Sequence, residues 1–360
     1  MKVIIAGGGT GGHLFPAVAV GAEIRRQSPE SEVLYVGATN GLEARWLPRN
    51  GLPHELLRVR GWTGKDPLTR LRAVSEFVAA VRRARTVIRD YGTDLVVGAG
   101  GYASAPVALA AILMRIPLVL MEQNVRPGLA NRILWRRARR VCVGFADSAA
   151  AFSPAKAVVT GNPARFALVP RAARNPSEPL QILVLGGSSG AHRLNIGVLK
   201  AFKICAKSVI KLTHQTGETD AEMVKDGYQA LGRTATVVPF IDDMAGALGA
   251  ADLVVARSGA MTVAEVALAG CPAIFVPYPF HRDRQQELNA RVIERRGGAR
   301  IVLDDEQLGE NLAKVLEELA ADRARLHAMG RCAAAVAMPQ AAEKIAALCL
   351  AIARGEERPG

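Results

Sequence analysis

His13 ends the run Gly7-Gly8-Gly9-Thr10-Gly11-Gly12. An imidazole where a helix begins feels the positive end of the helix dipole, which favours the neutral ring that accepts a proton. Two readings follow, a general base and a helix cap, and the histidine alone does not choose between them. The glycines form a G-x-G-x-x-G at Gly7, Gly9 and Gly12. Backbone amides of such a loop, ahead of a helix, can cradle phosphate; a tight turn is the plain alternative. Gly186-Gly187-Ser188-Ser189-Gly190 offers the same device a second time. A third junction runs Arg257-Ser258-Gly259-Ala260-Met261-Thr262-Val263-Ala264-Glu265. Its small residues let a pyrophosphate approach the backbone, and Glu265, a turn further on, suits sugar hydroxyls or a solvated helix face. Between Asp283 and Asn289 the side chains of Gln285, Gln286 and Asn289 also suit sugar hydroxyls. There is no D-x-D; Asp242-Asp243 and Asp304-Asp305 are adjacent rather than metal-spaced, so no metal site is expected.

Strands and helices must aim these groups. The strand-like Val3 to Ala6 feeds the first glycine loop, and a helix through about Arg26 follows, with Pro16 expected in its first turn. Further β-type runs lie at Val33 to Val36, Leu95 to Val97, Leu118 to Met121 and Val141 to Val143, separated by helical stretches. The design then restarts: Ile182 to Leu185 runs into the second loop, and Val209 to Leu212, Ala235 to Val238, Leu253 to Ala256 and Ala273 to Val276 follow. Alternation of this kind predicts an α/β fold with parallel sheets. Pro163, Pro170, Pro176 and Pro179 mark a linker over 163–179, giving domains 1–162 and 180–340; an apolar helix over 341–353 can join either. Ligands of such sheets bind outside the carboxyl ends of the strands. The expected site is therefore a cleft between two Rossmann-like domains that face each other, with both glycine loops opening onto it. A dinucleotide-binding fold also carries an acid at the end of its second strand, for the ribose. Here that strand ends Tyr35-Val36-Gly37-Ala38 and the acid is missing, which disfavours a nicotinamide or flavin oxidoreductase.

At roughly 150 residues per domain, a 360-residue chain holds two. The net charge of +13 is uneven: residues 1–160 carry 22 Lys and Arg against 11 Asp and Glu, and the rest of the chain is nearly balanced. An anionic partner is expected for the first half. Arg58, Arg60, Lys65, Arg70, Arg72, Arg82, Arg83, Arg85 and Arg89 lie along one stretch, with Leu71, Val74, Val78, Val81 and Ile88 at helical spacing. This suits either an interfacial element on anionic lipid or a core helix with a solvated basic face. Arg136, Arg137, Arg139 and Arg140 add a second cluster beside Trp135. The five cysteines are scattered and form no C-x-x-C, which reads as reduced thiols in a cytoplasmic protein. No secretory signal and no run near the roughly 20 apolar residues of a spanning helix is seen, so any membrane contact is expected to be peripheral.

Eight segments in order resemble the MurG family, the bacterial N-acetylglucosaminyltransferases of peptidoglycan synthesis. They are Gly7 to Pro16, Gly98 to Pro106, Glu122 to Leu134, Thr160 to Arg165, Gly186 to Ala191, Pro239 to Met244, Arg257 to Glu265 and Asp283 to Ala290. Ser189 and Met261 depart from the family pattern, which commonly has glutamine and leucine there. The resemblance implies the GT-B fold, UDP-N-acetylglucosamine (UDP-GlcNAc) as donor on the second domain and lipid I, undecaprenyl-pyrophosphoryl-N-acetylmuramyl-pentapeptide, as acceptor on the first. It implies Thr10, Gly11 and Gly12 near the donor, Asn124 and Arg165 on the donor or its diphosphate, Ser188 on phosphate and Ile241 on uracil. Ala260, Met261, Thr262, Val263, Ala264 and Glu265 would hold diphosphate and ribose, and Gln285 and Gln286 the sugar hydroxyls. His13 would be the base. No cofactor, metal or nucleic acid is implied. The expected partners are the anionic inner-membrane surface, at its cytoplasmic face, and cell-wall and division proteins. Three rivals are weighed against this. A UDP-GlcNAc 2-epimerase of the same architecture would need no lipid acceptor. An oxidoreductase would hold a coloured or fluorescent cofactor. A non-catalytic binding module would show no UDP-sugar affinity.

Overall fold

The computed structural model of the chain describes residues 1–59, 67–166, 178–187, 190–205, 210–281 and 283–356; of residues 67–72 it describes the backbone only. Arg60, Lys65, the side chains of Arg70, Leu71 and Arg72, most of the expected linker, and Ser188 and Ser189 lie outside the described part. Two compact units result, one made of Met1–Arg165 with Gln340–Gly360, the other of Phe166–Pro339.

The first unit begins β1 (Lys2–Gly7), α1 (Gly11–Gln27), β2 (Glu32–Ala38), α2 (Glu43–Arg49) and β3 (His54–Leu57). It continues α3 (Pro67–Tyr91), β4 (Leu95–Gly100), α4 (Ser104–Leu113), β5 (Leu118–Glu122) and α5 (Leu129–Leu134). Then come β6 (Arg140–Val143), α6 (Ala146–Ala149) and β7 (Ala157–Val159). The strands are parallel in the order β3-β2-β1-β4-β5-β6-β7. Val3, Ile4, Ile5, Val96, Val97, Val119 and Leu120 are fully buried, as strands covered by helices on both faces must be.

The second unit repeats the plan. It runs β8 (Leu180–Leu185), α7 (His192–Ile204), β9 (Ile210–Gln215), α8 (Ala221–Ala230), β10 (Ala235–Val238) and α9 (Met244–Ala250). After these come β11 (Leu253–Ala256), α10 (Ala260–Leu268), β12 (Ala273–Phe275), α11 (Gln285–Glu294) and β13 (Ala299–Ile301). Helices α12 (Leu308–Ala320) and α13 (Arg323–Ala334) complete it. Its parallel order is β10-β9-β8-β11-β12-β13. A buried chain of polar groups ties β9 to α7 and α8: the His214 ring is bonded to the Tyr228 hydroxyl at 2.9 Å and to Asn195 Oδ1 at 3.1 Å. Burial pushes the His214 imidazole down to about 3, so it stays neutral there.

Two sequence expectations change. Helix α1 starts at Gly11, so Pro16 falls in its second turn rather than its first, and its ring removes the amide that the Gly12 carbonyl would accept from. The single apolar stripe expected in α3 divides: Val81 and Ile88 join the core with Ala80, Ala84 and Val87, whereas Val74 and Val78 are exposed. The last helix, α14 (Ala341–Ala353), belongs to the first unit. Its Ile345, Ala346, Cys349, Leu350 and Ile352 pack with Leu14, Ala17, Val20 and Ile24 of α1. Gln27 Nε2 donates to the Glu343 carbonyl at 3.1 Å along the same seam. Ile345→Ala should therefore cost the first unit about 2–4 kcal/mol, read as a lower urea midpoint; an unchanged midpoint would show that α14 does not complete this core.

Candidate active site

In the first unit β1 lies beside β4, and their following helices leave on opposite faces, so a crevice opens at this switch point. The two loops there meet backbone to backbone. The Gly8 amide donates to the Gly100 carbonyl at 3.3 Å, and a Cβ on Gly101 (φ +81°) would overlap the Gly8 carbonyl. A Cβ on Gly100 (φ +92°) would lie 2.5 Å from His13 Cδ2. The half-buried His13 ring thus rests on a glycine shelf, with Thr10 Oγ1 3.5 Å from its Nδ1. Burial lowers the His13 pKa below the usual histidine value, and a hydrogen bond with the Gly8 backbone partly opposes this. The result is a neutral imidazole, the form a general base needs.

An acid does stand beyond the second strand, but it faces the protein interior. Glu43, the first residue of α2, is fully buried and turns inward. Its Oε2 accepts from the Gly9 amide and its Oε1 from the Ala38 amide, both at 2.7 Å. The amides of Gly8 and Gly9 are therefore both committed within the protein, and this glycine loop is a shelf more than a phosphate cradle. A Gly-x-Glu spacing just past the second strand was the available signal, at Gly41 and Glu43.

Glu122 organises the neighbouring loop from the end of β5. It accepts from the Asn124 amide at 3.0 Å, the Gly128 amide at 2.9 Å and Asn131 Nδ2 at 2.8 Å. Burial raises its carboxyl above the ordinary value while these donors pull it back. Gln123 Nε2 donates to the Ala99 carbonyl at 2.9 Å, which joins this loop to β4 and fixes Asn124 beside the crevice. Arg165 stacks 4.8 Å over the Phe15 ring of α1, and Phe15 meets Trp46 edge-on at 5.6 Å. Thr10, Gly11, Gly12, His13, Asn124 and Arg165 thus belong to one unit, and the first four to one loop and helix start.

The second unit has its own switch point, between β8 and β11. Gln215 clamps the loop after β8, accepting from the Gly187 amide at 3.1 Å and donating to the Gly187 carbonyl at 2.8 Å. Behind β11, Gly259 precedes α10, so the amides of Ala260, Met261 and Thr262 form the helix's open first turn and positive end. Val263 is different: its side chain is in the core and its amide bonds the Gly259 carbonyl at 3.0 Å, so it supports the helix. Ala264 is half-buried, and Glu265 is buried further along the same helix. The Ser258 hydroxyl is buried with no hydrogen-bond partner, and Asn289 Nδ2 donates to the Ser258 carbonyl at 3.3 Å. Gln285 opens α11, whereas Gln286 spends Oε1 on the Tyr278 amide at 2.9 Å and so shapes the preceding loop. Ile241 is half-buried beside the exposed Phe240, between β10 and α9.

The paired aspartates have structural work. Asp304 accepts from Arg257 Nη2 at 2.7 Å and from Arg193 Nε at 2.8 Å, and Asp243 caps α9 through the Gly246 amide at 2.8 Å. Among the described residues no group of three or more His, Cys, Asp or Glu is arranged to hold a metal ion, and no helix is long and apolar enough to cross a membrane.

Two Rossmann-like units of one strand order, each with a loop and helix end at its switch point, define the GT-B class of glycosyltransferase folds. The chain belongs to glycosyltransferase family 28: residues 3–143 match the family's N-terminal domain and residues 181–345 its C-terminal domain. A relative from Geobacter sulfurreducens is 42% identical over 99% of this chain and 100% of its own length. That protein is named UDP-N-acetylglucosamine--N-acetylmuramyl-(pentapeptide) pyrophosphoryl-undecaprenol N-acetylglucosamine transferase. The crystal structure of Acinetobacter baumannii MurG, 32% identical, superposes with a TM-score of 0.80 over 97% of this chain and 99% of that one. A UDP-GlcNAc 2-epimerase from Neisseria meningitidis, bound to UDP-GlcNAc, reaches a TM-score of 0.67 over 97% of this chain and 100% of that one. At 14% identity it shares the fold alone.

Gly101→Ala would force a side chain into a left-handed backbone and against the Gly8 carbonyl. It should cost about 1–3 kcal/mol of first-unit stability, and a wild-type unfolding curve would contradict the close approach.

Proposed function

We infer that this chain is an inverting glycosyltransferase that moves GlcNAc from UDP-GlcNAc to the C4 hydroxyl of MurNAc in lipid I, forming lipid II for peptidoglycan. The strongest support for the mechanism is His13, a neutral imidazole on a rigid shelf at the switch point of the first unit. In this reading His13 takes the proton of the acceptor's C4 hydroxyl. The oxygen attacks the anomeric carbon from the face opposite UDP, the C–O bond to the diphosphate breaks, and UDP leaves with the electron pair. The open amides of Ala260, Met261 and Thr262 offset the charge that develops on the diphosphate. Ser188 and Arg165 assist there, Glu265 takes ribose hydroxyls, Ile241 packs on uracil, and Gln285 with Gln286 reads the sugar. Asn124, with Thr10, Gly11 and Gly12, approaches the donor from the first unit. The epimerase alternative has weaker support, since relatives of that activity share only the fold.

The acceptor's lipid tail calls for a membrane-facing surface, at the cytoplasmic face of the cell membrane. Val74 and Val78 of α3, Leu113 of α4, and Leu129 and Ile133 of α5 are exposed apolar side chains on the first unit. Arg132, Arg136 and Arg137 are exposed around the last two. Apolar groups ringed by cations suit anionic headgroups. Ile133→Asp should weaken binding to anionic vesicles roughly tenfold, and vesicle sedimentation equal to wild type would remove this face.

His13→Ala should lower kcat by about 10²–10⁴-fold with UDP affinity intact; unchanged turnover would exclude the base role. A base works deprotonated, so the rate is present above its pKa and lost as pH falls through it. Because burial lowers that pKa, the acid limb of kcat/KM should lie below the usual histidine value of 6.5, and an acid limb above it would contradict the neutral, buried ring.

A further inference from the structure

We propose that Glu43 is a positioning residue for His13, a role that rests on the base reading given above. Three glycines surround its side chain: a Cβ on Gly8 or on Gly41 would overlap the carboxyl, and one on Gly37 would overlap the Cγ. Gly8 belongs to the shelf loop, Gly37 to β2 and Gly41 to the turn before α2. The space between them is therefore shaped for this one side chain, contributed by a helix whose Trp46 also meets Phe15. Within it each oxygen takes a different amide, Gly9 from one strand end and Ala38 from the next. An apolar side chain of the same size would leave the buried Ala38 amide and the half-buried Gly9 amide unpaired, which is the more costly state.

The consequence falls on the geometry of the base. Gly9 is joined to Thr10, the residue immediately before α1. With Gly9 tied to Glu43 on one side and Gly8 tied to Gly100 on the other, the start of α1 has one rotation and one height above the shelf. His13 sits one turn into that helix, over Gly100. Releasing the Gly9 amide lets the helix start shift, and a shift of the order of 1 Å at a reacting group costs about 10²-fold in rate.

Glu43→Gln keeps the size but turns an NH2 group toward one of the two donor amides. It should lower kcat about 10²-fold, with the loss falling on kcat far more than on donor KM. Measured with UDP-GlcNAc and a short-chain lipid I analogue, the pair His13→Ala and Glu43→Gln should be non-additive: the double variant is no slower than His13→Ala alone. Additive losses would mean that Glu43 acts by general stability and would overturn the proposal. Gly41→Ala guards against a Glu43 variant that does not fold, since it retains the carboxylate and presses a methyl against it; it should reproduce the kcat loss, and a folded Gly41→Ala protein with wild-type kcat would also overturn the proposal. Should His13→Ala turn over normally, the base reading fails on its own. Glu43 is then judged by NMR titration of the His13 ring, where a shifted titration in Glu43→Gln keeps the positioning role and an unshifted one ends it.

Discussion

The close approach of two backbone turns, after β1 and after β4, is the constraint on which the first unit's chemistry depends. Gly8 and Gly101 stand so near that a single added carbon would collide, and Gly100 leaves just enough room for the His13 ring. Side chains are excluded from the point where the strand order reverses, so the crevice there is lined by backbone and by whatever the two helix starts present. The helix that starts after β1 presents Thr10 and His13. Loop contact, helix start and imidazole thus form one mechanical chain, and burial of that imidazole keeps it neutral.

The two units use one topology for two tasks. Each has a glycine-rich loop after its first strand and a helix start after the neighbouring strand. In the first unit the loop amides of Gly8 and Gly9 are consumed by Gly100 and Glu43, which stiffens the loop and takes those two amides out of any anion site. In the second unit the start of α10 keeps its first-turn amides open, and Gln215 holds Gly187 of the companion loop. A phosphate-bearing donor fits the second arrangement and a hydroxyl-bearing acceptor with a base fits the first. The buried Arg257–Asp304 pair, joined by the exposed Arg193, and the buried His214 network add rigidity to the second unit.

Much of this was legible in the residues. Strand runs such as Val3 to Ala6 and Ile182 to Leu185 are short, apolar and followed by glycine, and these local signals mark both sheets and both loops. What escaped was non-local. Glu43 meets Gly9 across 34 positions of chain, and its Gly-x-Glu spacing past the second strand does not show that the acid turns inward. Nothing local in the sequence shows that the Tyr278 amide faces Gln286 and takes its Oε1. Val263 rides along in a motif whose neighbours are polar in role, and only the packing of α10 shows that it belongs to the core. In α3 a uniform helical period hid two environments, core for Val81 and Ile88, solvent for Val74 and Val78. The destination of α14 depended on whether the face of α1 around Val20 and Ile24 needed covering, which no stretch of α14 records.

Sugar transfer couples a UDP-sugar donor to a lipid-linked acceptor, and it is measured most directly as UDP release from UDP-GlcNAc by the purified chain, with and without a short-chain lipid I analogue, in EDTA. Release should require the acceptor and yield a GlcNAc-extended lipid; release at the same rate without acceptor would contradict this transfer and favour epimerase chemistry on the same fold.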